Sequence, residues 1–220
     1  MAVLASSIIN DVAADLFDPG NVRWTRPDLL GYLNDGMREL LLYRPDANTV
    51  LQSTALAAGS LQALPAIGGQ KTRLLDVKAN TSGRSVKFAK AESLDDQRSN
   101  WRNDPQSTTI KAWIYDMRLP DYFEVWPPAQ LGASLLLVLS VPVDDLADEG
   151  DALPLDDMYK GPLMSYMKHR ACLRDSEDAA MKDLADSFYA LMGRQLLGKS
   201  SSEGAEKPEL AATQRKDITK

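Results

Sequence analysis

The side chains in this sequence that could do chemistry are few, and their spacing argues against the sites they might build. There is one histidine, His169, between Lys168 and Arg170. A serine triad, a zinc-binding histidine pair and a two-histidine iron site all need more than this chain supplies. A mid-helix histidine with basic neighbours reads as a helix-surface or interface residue rather than a general acid or base. The lone Cys172 excludes an internal disulfide and a cysteine-based zinc site; it reads as a packing residue and suits a reducing compartment. Gly68-Gly69-Gln70-Lys71-Thr72 lacks the GxxxxGK[ST] spacing of a phosphate loop and leads into a strand-like run, not a helix. The acid pairs Asp95-Asp96 and Asp156-Asp157 are adjacent, so regular backbone points them apart and they read as solvated caps, not as a proton-sharing dyad. No catalytic residue, cofactor site or metal site follows, and the chain is expected not to be an enzyme.

What remains is suited to binding. Trp101, Trp113, Tyr115, Tyr122, Phe123 and Trp126 form a dense aromatic cluster in a chain with 7% aromatics. Such residues serve as core or as interface anchors, and Trp101, Trp113 and Trp126 are the expected subunit-interface residues. A second use, a sequence-tolerant nucleic-acid stacking platform, needs interleaved cations, and only Arg98, Arg102 and Arg118 are near. Net charge is −6, from 25 basic and 31 acidic residues, which argues against a protein that neutralises many phosphates. Asp144, Asp145, Asp148, Glu149, Asp151, Asp156 and Asp157 form an acidic belt that reads as a solvated loop, while Lys199, Lys207, Arg215, Lys216 and Lys220 gather in the tail.

The elements that position these residues follow from periodicity. Leu4, Ile8, Val12 and Leu16 place one apolar stripe on a helix over 3–17, ended by Asp18-Pro19-Gly20. A second helix starts at Thr25-Arg26-Pro27-Asp28, a capping-box-like pattern, carries the stripe Leu30, Leu33, Met37, Leu40, Leu41, and stops before Pro45. Gly31 and Gly36 inside it predict the close approach of another helix. Tyr159, Leu163, Met167 and Ala171, then Met181, Leu184, Phe188, Leu191 and Met192, predict a helical hairpin over 153–197, broken at 174–178 with Asp175 or Ser176 as cap. Neither pair of helices can bury its stripe alone, so the two ends of the chain are expected to meet.

Between them the period alternates. Val50–Leu56 and Leu61–Leu64 predict two strands. Gly68-Gly69 marks a turn, and residues 72–80 and 84–89 predict a hairpin around Thr81-Ser82-Gly83. Ser93–Asn103 reads as a short helix or ordered loop. Ile110–Met117, Tyr122–Trp126 ended by Pro127-Pro128, and the apolar run Leu135–Val143 read as a meander whose last strand is buried on both faces. Residues 198–220 hold two glycines, one proline and no aromatic, a composition that cannot fold alone. No apolar run approaches the roughly 20 residues of a membrane span, and the first residues, with Asp11 and Asp15, read as an amphipathic helix rather than a signal peptide. The expected fold class is α+β: an antiparallel helical bundle from 1–48 and 144–197, an inserted small antiparallel β unit over 49–143, and an extended C-terminal arm over 198–220.

Three stretches carry a resemblance. Asp18-Pro19, Val22-Arg23-Trp24 and Leu29-Leu30-Gly31-Tyr32-Leu33-Asn34-Asp35-Gly36 resemble the opening of the head-to-tail adaptor (connector) proteins of tailed bacteriophages. Phe123-Glu124-Val125-Trp126-Pro127-Pro128 is similar to their strand end, and Tyr166, His169-Arg170-Ala171 and residues 182–189 to their C-terminal helical pair. The resemblance implies a ring, typically of twelve copies, docked under the portal protein in the virion neck and presenting a platform to a tail or nozzle protein, after assembly in the host cytoplasm. It implies that the bundle builds the ring wall, that DNA passes the lumen without specific binding, and that no membrane or cofactor is involved. It further implies a C-terminal arm reaching the portal, here Lys199, Lys207, Leu210, Arg215, Lys216 and Ile218, although residues 198–220 match no family motif.

Overall fold

The computed structural model describes residues 3–174 and 179–205, the last seven as backbone. The fold is α+β, with helices α1 (Ala5–Asp15), α2 (Arg26–Tyr43), α3 (Ala91–Gln97), α4 (Lys160–Leu173) and α5 (Ala179–Ala205). Its strands are β1 (Thr49–Ala55), β2 (Gly59–Ala63), β3 (Arg73–Asn80), β4 (Lys87–Phe88), β5 (Ala112–Ile114), β6 (Tyr122–Ala129) and β7 (Ser134–Ser140). The described residues form two compact units, one from Met1–Arg44 together with the chain from Val143 onward, the other from Pro45–Pro142.

In the helical unit, Ile8, Ile9, Val12 and Ala13 bury the apolar face of α1, while Leu4 precedes the helix and is exposed. Leu4 has no side chain able to cap, and the free N–H groups of Ala5 and Ser6 donate instead to the carbonyls of Asp151 and Glu149, 3.0 and 2.8 Å away. The acidic belt thus supplies the cap that α1 lacks. Arg26 binds Glu149, and Arg38 binds Asp145. Much of the belt is structural.

α2 begins with the capping box that its sequence predicts: Thr25 accepts from the Asp28 N–H, and Asp28 reaches back to the Thr25 N–H. Its buried side is Leu29, Leu33, Gly36, Met37 and Leu40, with Leu30 and Leu41 only half-buried, so the stripe is rotated by one residue from expectation. Gly36 explains the rotation. A Cβ there would stand 3.0 Å from Tyr166 Cδ1 and 3.4 Å from Leu163 Cδ2, so this is where α4 comes closest. Gly31 has nothing within 4 Å and no such role.

α4 and α5 lie against each other through residues of mixed character. Leu163, Met167, Ala171 and Cys172 are fully buried on α4. On α5 the buried residues are Ala185, Met192 and Leu196, while the expected Leu184 is exposed. His169 Nδ1 sits 2.8 Å from the Ala185 carbonyl, which can only accept, so Nδ1 carries the proton. Its ring lies between Tyr166 and Tyr189, and Tyr189 donates to Glu39 at 2.6 Å, tying α5 to α2. That carboxylate, and then the Tyr43 hydroxyl, hold the Tyr189 hydroxyl protonated far above the usual phenol range. The expected caps Asp175 and Ser176 lie outside the described residues. Gly198, expected to open the arm, keeps helical backbone, and α5 continues to Ala205; a glycine ends a helix only where it takes the left-handed conformation, and here it does not.

The β unit holds two sheets, β1-β7-β3 and β2-β6-β5-β4. The expected meander is therefore broken: β5 and β6 pair, but β7 leaves to sit between β1 and β3. Nor is β7 buried on both faces. Leu135, Leu137 and Leu139 are fully buried, whereas Leu136 and Val138 are half-buried, because a strand central in its sheet still turns one face outward. The hairpin expected after β3 survives only as the bridge Ala79–Ser85 around Gly83, at φ +91°. Two register shifts bend β3, and β4 then crosses to pair in parallel with β5, making that sheet mixed rather than antiparallel. β6 runs through Pro127 and Pro128 to Ala129; at Pro128 the neighbour asks only for a carbonyl, which accepts from the Ser107 N–H at 2.9 Å. One core, including Val77, Trp113, Phe123, Val125 and the three β7 leucines, draws on both sheets. Asn80, buried, binds the Arg84 and Ile110 carbonyls and the Ile110 N–H, so burial leaves it satisfied.

The two helix glycines give opposite expectations in a urea unfolding series. Gly36→Val overfills the α2–α4 contact and costs about 1–3 kcal/mol; Gly31→Ala meets open space and gains up to about 1 kcal/mol in helix propensity. Equal destabilisation by both would contradict the close approach. Acid should act through the caps. Asp28 has its carboxyl held below the usual range by Thr25 first and then Arg174, and Asp18 by the Trp24 N–H first. A depressed folded pKa contributes stability above the unfolded value of about 3.9 and loses it as pH falls through the folded value. Thermal unfolding should therefore hold steady from neutral to about pH 5 and drop below about pH 4, with Asp28→Asn less stable at neutral pH and showing a shallower drop. Parallel curves for the two proteins would remove Asp28 from the account.

Candidate interaction surfaces

Several residues of the adaptor-like opening fasten the helical unit. Asp18 accepts from the N–H groups of Val22, Arg23 and Trp24 at 2.9, 2.8 and 3.0 Å, closing the turn between α1 and α2. The turn aims the indole of Trp24 inward, where Nε1 donates to the Ala171 carbonyl of α4 at 3.1 Å. Asn34 donates to the Leu146 carbonyl at 3.1 Å and accepts from the Leu146 N–H at 2.9 Å, clamping the chain as it returns toward α4. Arg174 donates to Asp28 at 2.8 Å. Sequence pattern alone shows these residues as helix punctuation. Their long-range partners appear only in three dimensions.

Two of the three expected interface tryptophans, Trp101 and Trp113, are buried. Trp101 is 0% exposed, packs with Leu94 and Ile114, and donates to Asp95 at 2.8 Å. Trp113 lies in the two-sheet core with Phe88 edge-on at 4.9 Å. Trp126 is half-buried and donates to Asp104 at 2.9 Å. A side chain spent on its own core has no surface for a partner, so Trp101 and Trp113 hold the β unit together and the interface expectation does not fit them. The platform for nucleic acid fares similarly. Arg98 is paired with Asp104, Arg102 with Glu124 and Arg118 with Asp116. Asp104 is held below the usual carboxylate range by the Trp126 N–H first and then Arg98, and Asp116 by Arg118. Arg102 lies over the Trp101 ring and Arg98 over the Trp126 ring, and both cations are paired with carboxylates. Of the expected arm, Lys199 lies on the α5 backbone, and Lys207, Leu210, Arg215, Lys216 and Ile218 lie outside the described residues.

A recess that the sequence gave no sign of lies on the β unit. It has a volume of about 660 Å³ on the outer face of the four-stranded sheet, with Ile114 among its walls and Leu61, Phe88, Met117, Leu119 and Tyr122 exposed around it. α3 and the 3₁₀ turn at Trp101–Asn103 cover the neighbouring part of that face, through Leu94 and Trp101 against Ile114. Leu119 sits in a loop without periodicity, and Met117, expected to end the strand Ile110–Met117, lies beyond the end of β5 at Ile114. No cluster of three or more histidine, cysteine or acidic side chains able to hold a metal occurs among the described residues, and no described helix is long and apolar enough to cross a membrane. If Trp101 is core, Trp101→Ala costs about 3–5 kcal/mol, and the loss is seen in the unfolding of the protein by itself; an unchanged midpoint would return Trp101 to the interface.

A helical unit fastened by its Asp18, Trp24, Asn34 and Gly36 contacts, a β unit interrupting it, and a long last helix together describe a chain built of surfaces. No curated protein sequence matches the chain. The family model of the SU10 adaptor protein matches residues 4–214, which span the helical unit, the β unit and most of the chain beyond α5. The chain belongs to the SU10 adaptor protein family and is a phage head-to-tail adaptor.

Proposed function

We propose that the chain is the repeating subunit of a ring, of twelve copies, that docks under the portal protein in the virion neck and presents a platform to the next tail or nozzle protein. The helical unit forms the ring wall, the arm over 198–220 reaches the portal, and DNA passes through the lumen without specific binding. The subunit is made and assembled in the host cytoplasm. The observation that carries this reading is the family match over residues 4–214, which takes in both units and reaches beyond the last helix.

The physical features support it. On α5, Leu196 is 2% exposed and Leu197 70%, yet the helix backbone runs on to Ala205. The helix backbone continues nine residues beyond Leu196, about 13 Å of rise, toward a segment that binds elsewhere. The sequence beyond it is too poor in apolar residues to fold unaided, which suits a segment that orders on a partner. The net charge of −6 suits a wall that DNA must slip past.

The test is the mass of the purified protein alone and after mixing with the portal from the same genome, with electron microscopy of the mixture. The expected result is a monomer that becomes a closed ring on the portal, and loss of that binding when residues 198–220 are deleted while the thermal midpoint stays unchanged. No association with the portal would discard the reading. Rings formed equally well by the deleted protein would move the portal contact away from the arm.

A further inference from the structure

Two exposed apolar features are left over by the contacts described so far, and they are opposite in shape. The first is the turn after α1. Phe17 is 94% exposed and holds φ at +57°, and Val22 is 87% exposed. The left-handed region costs a bulky residue about 1–2 kcal/mol, and asparagine, aspartate or glycine would adopt it more readily. The turn is nonetheless rigid, fixed by the three N–H groups on Asp18 and anchored by buried Trp24. By itself the subunit gains nothing from a strained phenylalanine in water. The second feature is the recess with Leu61, Phe88, Met117, Leu119 and Tyr122 at its rim.

Both surfaces are electrically closed. At the recess, Arg102 is bidentate on Glu124 at 2.7 and 3.0 Å and Arg118 binds Asp116 at 2.8 Å, which leaves Lys90 and Glu92 of opposite sign. At the turn, the Asp18 carboxylate is held by backbone N–H groups and its charge is offset by Arg23. Neither surface offers unbalanced charge to a nucleic acid or a basic arm, and neither strands a charge when it loses water. They suit an apolar partner of the same neutrality. Because projection and recess differ, each copy can give its turn to one neighbour and its recess to another, a heterologous contact that repeats from copy to copy and can close into a ring. An aromatic ring buries about 150–250 Å², and the recess falls within the roughly 300–1,000 Å³ of concave binding sites.

We propose that Phe17 and Val22 of one copy seat in the Leu61, Phe88, Met117, Leu119 and Tyr122 recess of the next copy. The proposal rests on the ring reading above and names the contact that closes the ring.

Two experiments with the full-length chain test it. Phe17→Asn should unfold at the same temperature as the native protein or higher, since asparagine tolerates the positive φ, yet need at least about a tenfold higher concentration to form rings on the portal. Rings at the native concentration would overturn the proposal. In the second, Phe17→Cys and Leu119→Cys are combined in one chain, with Cys172 buried and out of reach, and the protein is oxidised on the portal. The expected product is a ladder of covalently linked subunits, absent from either single variant. Rings without a ladder, a Phe17→Cys chain that links to its own kind, or a link to the portal protein each overturn the contact while leaving the ring reading intact. Absence of rings from the native chain overturns both.

Discussion

The helical unit depends on one close approach, Gly36 of α2 against Tyr166 of α4. A side chain at Gly36 would push the two helices apart, and with them the Trp24–Ala171 and Arg174–Asp28 hydrogen bonds that span the same pair. The first is buried and the second exposed, and each is modest by itself. They act together because the glycine lets the two helix backbones come near. Asp28, Trp24 and Gly36, which read as part of a family signature, are therefore the hardware of this contact.

The helices were legible because their signals are local. Thr25 and Asp28 announce a capping box within four residues, and Leu33, Met37 and Leu40 repeat at the period of the helix they form. The one-residue rotation of α2 was not legible, since Leu29 and Leu30, and Leu40 and Leu41, give two equally good stripes and only the position of α4 chooses between them. For α5 the same ambiguity arose between Leu184 and Ala185, and the small residue won where His169 needed the Ala185 carbonyl.

The strands show where local reading stops. Alternation told which side chains share a face, and Trp113 and Ile114 do point to different clusters. Alternation carries no information about which strand pairs with which. β7 joining β1 and β3, and β4 lying parallel to β5, are choices between partners far apart in sequence. The aromatic cluster was visible for a similar reason and misread for a similar reason: composition shows that large rings are present, but core and interface draw on the same residue types. What could have redirected attention is Phe17, next to Asp18-Pro19-Gly20, an aromatic placed in a turn that favours small polar residues.

The Trp24 indole meets a carbonyl 147 residues further along the chain, and that separation sets an order on biosynthesis. The β unit is complete once Pro142 has left the ribosome, whereas α1 and α2, made earlier, have no α4 to lie against until about thirty residues later. At about 5–20 residues per second, the two N-terminal helices wait roughly 6–26 seconds with their apolar stripes uncovered, the interval in which a nascent chain of this design most needs a chaperone.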